Sequence, residues 1–254
     1  MKTAFAAMAT LAALAISACG EDATPEAPGT VPGTGAGLPQ GSEPADLDPA
    51  DFTTKIDNPY LPLAAGSRWV YAETEAGEPD QKVVVEVLDK TKTIANGIEA
   101  IVVRDVVTES GEPIEITDDW YAQDSAGNVW YLGEDTAEYE DGKRVCRCGS
   151  FEAGVDGAEA GVVMPANPEV GMTYRQEYYE GEAEDEGKVL SLDELAQAPA
   201  GIYHDTLMTR DTNPLEPKVS EHKFFAEGVG LVLAVHVSGG AGREELVSFR
   251  PGGE

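Results

Sequence analysis

The chain has 254 residues, with 17 Lys and Arg against 47 Asp and Glu, a net charge of -30 with His neutral. So large an acid excess excludes nucleic acid as a partner, because phosphate binding needs basic side chains to displace counterions, and by charge alone it opposes adsorption to anionic headgroups. A composition 42% hydrophobic and 25% charged can bury the core of one or two domains, and three Cys exclude a disulfide-stapled scaffold.

The first 18 residues carry one base, Lys2, and no acid, and Phe5 to Ile16 is a short Ala/Leu-rich apolar run. That is the layout of a secretory signal peptide, too short to span a bilayer. It ends in Ile16-Ser17-Ala18-Cys19, which resembles the bacterial lipobox. The resemblance implies cleavage before Cys19 and acylation of Cys19, with the lipid bilayer as a partner through its acyl chains. The competing reading is an ordinary signal peptide cut after Ala18, which leaves a free exported thiol. Two or more acyl chains give stable attachment where one does not. Gly20 and Glu21 follow the Cys, and neither is the Asp that resembles an inner-membrane retention signal. The expected location is the cell envelope, lipid-anchored, with the outer membrane favoured in a Gram-negative source.

Residues 20 to 50 hold six Pro, six Gly and six acids with no base. Such a stretch buries too little apolar surface to offset its ordering entropy, so residues 19–50 read as the lipidated Cys and a disordered tether.

Residues 51–254 read as a single β-rich domain. Val83, Val85 and Val87 share one face of a strand, Ile114 and Ile116 alternate with Glu115 and Thr117, and Tyr174, Gln176 and Tyr178 oppose Arg175, Glu177 and Tyr179. Val229 to Val237 repeats the period of two. Turn residues at Glu75 to Pro79, Asn96-Gly97, Ser110-Gly111, Ala126-Gly127-Asn128 and Asp141-Gly142 space hairpins about ten residues apart. Ser191-Leu192-Asp193-Glu194 fits a capping box, and Pro199 keeps any helix there short. The expected fold is all-β, a curved antiparallel sheet or an open or closed barrel with few short helices.

Three stretches carry a family resemblance: Ile56-Asp57-Asn58-Pro59-Tyr60-Leu61-Pro62-Leu63 with Gly66 to Tyr71; Asp119 to Asp124 with Gly127 to Glu134; and Ser150 to Ala158 with Tyr174 to Tyr179. Together they resemble an uncharacterised family of exported bacterial β-rich lipoproteins. Phe224 to Val232 is similar to the last strands of several β-rich lipoprotein families. The resemblance covers most of residues 52 to 237 and implies a β fold. It brings no assigned activity and no catalytic residues, and the family pattern does not include Cys146 and Cys148.

Asp119, Glu152 and Glu177 are candidates for an acid/base pair of carboxyls, with Arg175 to orient a substrate by its planar fork. A solvated acidic surface accounts for the same residues and is the favoured reading. No metal site is expected. Ca²⁺ on Asp124 to Asn128 is a weak alternative to a hairpin turn, because the oxygen ladder of a Ca²⁺ loop is missing. Cys146-Arg147-Cys148 reads as an incidental or oxidised pair, since His204, His222 and His236 follow no ligand spacing. No G-x-S-x-G elbow and no phosphate-cradling loop is present. Trp120, Trp130, Tyr131 and Tyr178 are candidates for a ligand-binding hollow, with cross-strand core pairs as the favoured alternative. The sequence therefore points to a lipid-anchored, non-enzymatic ligand- or partner-binding or structural module, with a hydrolase or a divalent-metal binder as alternatives.

Overall fold

The computed structural model describes residues 37–75 and 80–253. The signal-peptide segment 1–18 and Cys19 lie outside the described residues. In chain order the strands are β1 (Phe52–Thr53), β2 (Arg68–Thr74), β3 (Gln81–Thr93), β4 (Glu99–Glu109), β5 (Glu112–Asp124), β6 (Val129–Glu140), β7 (Lys143–Cys146) and β8 (Phe151–Glu152). They continue with β9 (Glu159–Met164), β10 (Thr173–Arg175), β11 (Glu177–Tyr178), β12 (Glu186–Ala198), β13 (Gly201–Thr212), β14 (Ser220–Ala226), β15 (Gly230–Ser238) and β16 (Arg243–Arg250). A 3-10 turn at Pro49–Asp51 is the single helical element among the described residues.

Thirteen strands pair antiparallel in the order β10-β12-β13-β14-β15-β16-β2-β3-β4-β5-β6-β9-β11. The two ends of this sheet are successive pieces of one stretch. β10 pairs with β12, Tyr174 opposite Gly187, and β11 pairs with β9, Glu177 opposite Ala160. The segment from Thr173 to Tyr178 therefore joins the two edges and nearly closes a barrel, which leaves little edge for a foreign strand. Closure is tight: a Cβ on Gly161 would sit 2.2 Å from the Gln176 carbonyl carbon, so this seam position has room only for Gly.

The hairpin turns fall where the Gly residues placed them. Ser110 and Gly111 have φ 53° and 89°, and Asp141 and Gly142 have φ 49° and 71°. Two positive φ values in a row are what a two-residue turn matched to strand twist requires. One end of the barrel is plugged by the chain before β2, where Ile56, Leu61 and Leu63 are buried. Asn58 Nδ2 donates to the Gly127 and Pro165 carbonyls at 3.1 Å, and Trp69 Nε1 donates to the Val229 carbonyl at 2.7 Å. This plug is the Ile56 to Leu63 motif of the sequence.

Two expectations need correction. Ser191 to Glu194 is strand, inside β12, and not a helix start. Ser191 Oγ does meet Asp193 Oδ1 at 2.8 Å, but the bonding serves an irregular register against β13, because pairing on an otherwise alternating strand outweighs a local cap. The segment expected as a loose tether is docked over its last part. Gln40 Nε2 donates to the Thr173 carbonyl at 2.7 Å, the Ala45 N–H donates to Glu159 Oε2 at 3.1 Å, and Leu38, Ala45 and Leu47 pack against the core. Its Pro residues reduce the entropy lost on docking, and its few apolar side chains find the barrel seam.

Candidate functional site

Several strands are inverted relative to ordinary amphipathic patterning. On β5, Glu115, Thr117 and Asp119 are buried while Ile114 and Ile116 are only half-buried. Register carries this around the wall. Thr117 lies opposite Thr136 and Asp119 opposite Glu134 across β5 and β6, Asp105 opposite Thr117 across β4, and Glu73 opposite Glu244 across β2 and β16. Directly opposite residues share a face. Nine acids of the described residues are buried, including Glu73, Asp105, Asp119, Glu134, Glu177 and Glu244, against Arg175 and the largely buried Lys223.

A bulge builds the centre of this lining. Asp119 pairs with Glu134 and Tyr121 with Tyr131, so two steps on β5 match three on β6. The extra residue falls at Leu132-Gly133, where Gly133 has φ 130° and a Cβ would lie 2.3 Å from the Phe151 carbonyl oxygen. Such a bulge re-aims the side chains on either side of it. The Tyr131 ring stacks on Tyr121 at 5.0 Å, and its hydroxyl lies 2.7 Å from Asp119 Oδ1 and 2.6 Å from Glu134 Oε2. A phenol has one proton to donate, so both hydrogen bonds exist only if one carboxyl is protonated and donates in return. Burial pushes Asp119 up to about 8, against the hydrogen bond from Tyr131. Burial and the charge of Asp119 push Glu134 well up, and burial followed by the charge of Asp185 does the same to Glu177. Burial lifts Glu115 to about 7.

A second cluster is charge-balanced. Lys223 Nζ lies 2.9 Å from Asp211 Oδ2 and 3.4 Å from Glu221 Oε2. Gln176 Nε2 and Thr209 Oγ1 donate to Asp211 at 3.2 and 2.9 Å. Burial opposes the charge on Lys223, but Asp211 and Glu221 outweigh it and hold the ammonium protonated. Beyond this cluster, both Glu244 carboxyl oxygens, Glu134 Oε1, Glu177 Oε2 and Glu115 Oε1 are buried with no hydrogen-bond partner among the described residues. Burial, then the neighbouring Glu73, push Glu244 well above the usual carboxylate range.

No protein-family model matches the chain, and no curated protein matches it. Two solved structures are similar to it. One is a protein from Bacteroides fragilis provisionally classed as exported, with a YmcC-like fold, 14% identical over 76% of this chain and 99% of that one, TM-score 0.43. The other is a protein from Parabacteroides distasonis provisionally classed as a lipoprotein, 12% identical over 75% of this chain and 98% of that one, TM-score 0.38. The all-β fold here rests on its own strand pairing.

The sequence candidates separate in space. Asp119 and Glu177 are both interior, and the charge of Asp119 contributes to the shift of Glu177. Glu152 is elsewhere: it pairs with Lys92 Nζ at 2.7 Å with a quarter of its side chain exposed, and Lys92 lies 4.1 Å over the Trp120 ring. Arg175 is occupied by main chain. Its guanidinium donates to the Ala160, Gly41 and Glu43 carbonyls at 2.6, 2.8 and 2.6 Å, so it clamps the docked N-terminal segment onto the seam. Of the aromatic candidates only Tyr131 belongs to the carboxyl cluster. Trp130 donates from Nε1 to Asp124 Oδ2 at 2.8 Å and meets Phe52 edge-on, Trp120 carries Lys92, and Tyr178 is half-buried on β11 beside Glu159. Tyr121 and Tyr131 are a true cross-strand pair, whereas Trp120 and Trp130 are not opposite each other.

Asp124 is a turn organiser. Its carboxylate accepts from the Ala126 and Asn128 N–H groups at 3.0 and 2.8 Å and from Asn128 Nδ2 at 2.7 Å, which leaves the hairpin reading over a Ca²⁺ loop. Among the described residues, Glu138, Cys146 and Cys148 form a group with ligand atoms within 4.8 Å, but the two sulfurs are joined as a disulfide and offer no thiolate. Glu134, Glu244 and Lys223 were not legible as site members. The signal for them was the acid standing where an apolar residue is due, as in Arg243-Glu244-Glu245-Leu246.

Proposed function

We propose that this chain is a lipid-anchored envelope protein, held through Cys19, whose barrel is a non-enzymatic module that takes a cationic ligand against its interior carboxyls. The observation that supports the reading is Glu244, whose two carboxyl oxygens are both buried beside Glu73 with no hydrogen-bond partner among the described residues. A buried carboxyl in this state either keeps its proton or accepts an external donor or cation. The interior acids are spread along the wall and, among the described residues, give no set of three carboxyls within 4.8 Å. That spacing suits an extended polyamine-like cation with several N–H donors better than a compact divalent ion. The hydrolase reading loses support because Glu152 and Arg175 stand apart from Asp119 and Glu177, each with another partner.

Two experiments test this. Mass measurement of the mature N-terminus is expected to find an acylated Cys19, and an unmodified chain starting at Met1 ends the anchor reading. Titration of the mature protein with spermidine, and separately with Ca²⁺, is followed by calorimetry and thermal shift at pH 8. Saturable spermidine binding that weakens in Glu244→Gln is expected. A flat titration with both probes, or equal binding by the variant, overturns the ligand reading and leaves the anchor untouched.

A further inference from the structure

Cys146 ends β7, and Cys148 stands in the turn that follows, with the two joined as a disulfide and their Cα atoms 5.4 Å apart. A bridge between residues two apart ties no distant parts of the fold together, and the loop it closes is so short that it removes little entropy from the unfolded chain. Its contribution to stability is therefore small, and its chemistry has to be considered. It lies open to solvent at the end of the β6–β7 hairpin: Cys148 is exposed, Cys146 half-exposed, and neighbouring Val145 53% exposed.

The two sulfurs are not equivalent. The Cys148 backbone N–H donates to Cys146 Sγ at 2.8 Å. A donor aimed at that sulfur stabilises negative charge on it, and so makes Cys146 the better leaving group. Cys148, the more exposed residue of the two, is left as the one an incoming thiolate reaches. Glu138, opposite Cys146 on β6, brings a carboxylate oxygen within 4.8 Å of both sulfurs.

We propose that Cys146-Arg147-Cys148 is a thiol–disulfide exchange centre acting on solvent-accessible thiols of other exported polypeptides. A substrate thiolate attacks Cys148 Sγ and forms a mixed disulfide. The Cys146–Cys148 bond breaks, and its electron pair leaves on Cys146 as a thiolate held by the Cys148 N–H. A second substrate thiolate attacks the substrate sulfur of the mixed disulfide and releases Cys148 as thiolate. The substrate dithiol is oxidised to a disulfide, the protein disulfide is reduced to a dithiol, and the two substrate protons pass to the new thiols or to solvent. The same steps reversed reoxidise the pair at the expense of a substrate disulfide. This inference does not depend on what the barrel interior binds.

The test equilibrates the mature full-length protein with reduced and oxidised glutathione at a series of ratios, quenches with an alkylating reagent and maps peptides by mass. Both dithiol and disulfide forms are expected within the range. The transient glutathione adduct is expected on Cys148 over Cys146 by about tenfold. Cys146→Ser, which removes the resolving thiol, is expected to hold the Cys148 adduct stably. A pair that stays oxidised at every ratio, or an adduct shared equally between the two cysteines, overturns the proposal. So does loss of the far-UV circular dichroism signal in the Cys146→Ser, Cys148→Ser double variant, because it would make the bridge a structural clasp.

Discussion

Tyr131 and Glu134 stand three residues apart on one strand, yet the Tyr131 hydroxyl lies 2.6 Å from Glu134 Oε2. On a regular strand residues i and i+3 point to opposite faces. The bulge at Leu132-Gly133 reverses that and lets one tyrosine hold two carboxyls, Asp119 and Glu134, in the buried wall.

Removing that hydroxyl exposes how much the cluster depends on it. Tyr131→Phe leaves two buried carboxyls short of a partner, and a loss of about 1–3 kcal/mol of unfolding free energy is expected. Glu134→Gln keeps a hydrogen-bonding side chain in place of a carboxyl that burial already drives toward its neutral form, so it should cost less than Tyr131→Phe at neutral pH. Urea unfolding of both variants checks the order, and the reverse order rejects the shared-proton arrangement.

Stability should fall as the solution becomes alkaline. Burial lifts the folded-state values of Asp185 to about 6, Glu115 to about 7 and Asp119 to about 8. In the unfolded chain these groups release their protons near 4. The folded state thus binds more protons between about pH 4 and 8, and the stability from these groups is full below that window and lost as pH rises through it. Each tenfold gain in a group's proton affinity on folding corresponds to about 1.4 kcal/mol, so several kcal/mol are at stake, and the Tm at pH 9 should lie roughly 6–12 °C below that at pH 5. A melting series over pH decides it. Glu134→Gln should flatten the slope, and a Tm that rises toward pH 9 contradicts the assignment.

Gly133 admits no side chain. Its φ is 130°, and an added Cβ meets the Phe151 carbonyl oxygen at 2.3 Å. Gly133→Ala is expected to destabilise by about 3 kcal/mol or more, through backbone strain and displacement of β8. A denaturant midpoint equal to wild type would mean that the bulge can relax elsewhere.

Arg175 governs the docked segment. Replacing it with Met keeps an apolar stem but abandons the carbonyls of Gly41, Glu43 and Ala160. Limited proteolysis should then cut between residues 38 and 47 faster than in wild type, as expected where local opening becomes easier. Unchanged cleavage would show that Gln40 and Ala45 hold the segment without help.

Much of the fold is legible in the amino-acid sequence. The Gly-bearing turns, the alternating valines of β3 and the run into β15 define an antiparallel β domain, because hairpin geometry and the two-residue period are local properties of the chain. The lipobox-like Ile16 to Cys19 is equally local. Which carboxyls meet is not local. Asp119 stands out in the sequence, but its partner Glu134 reaches it only through a bulge, and Glu244 joins Glu73 only when β16 pairs with β2 across a separation of about 170 residues. Glu152 and Arg175 look like partners of Asp119 in the sequence, and closure of the barrel gives them to Lys92 and to the N-terminal main chain instead. Composition and period thus determined the strands. Long-range pairing alone decided which acids turn inward, because a single bulge or a one-residue shift of register exchanges the two faces of a sheet.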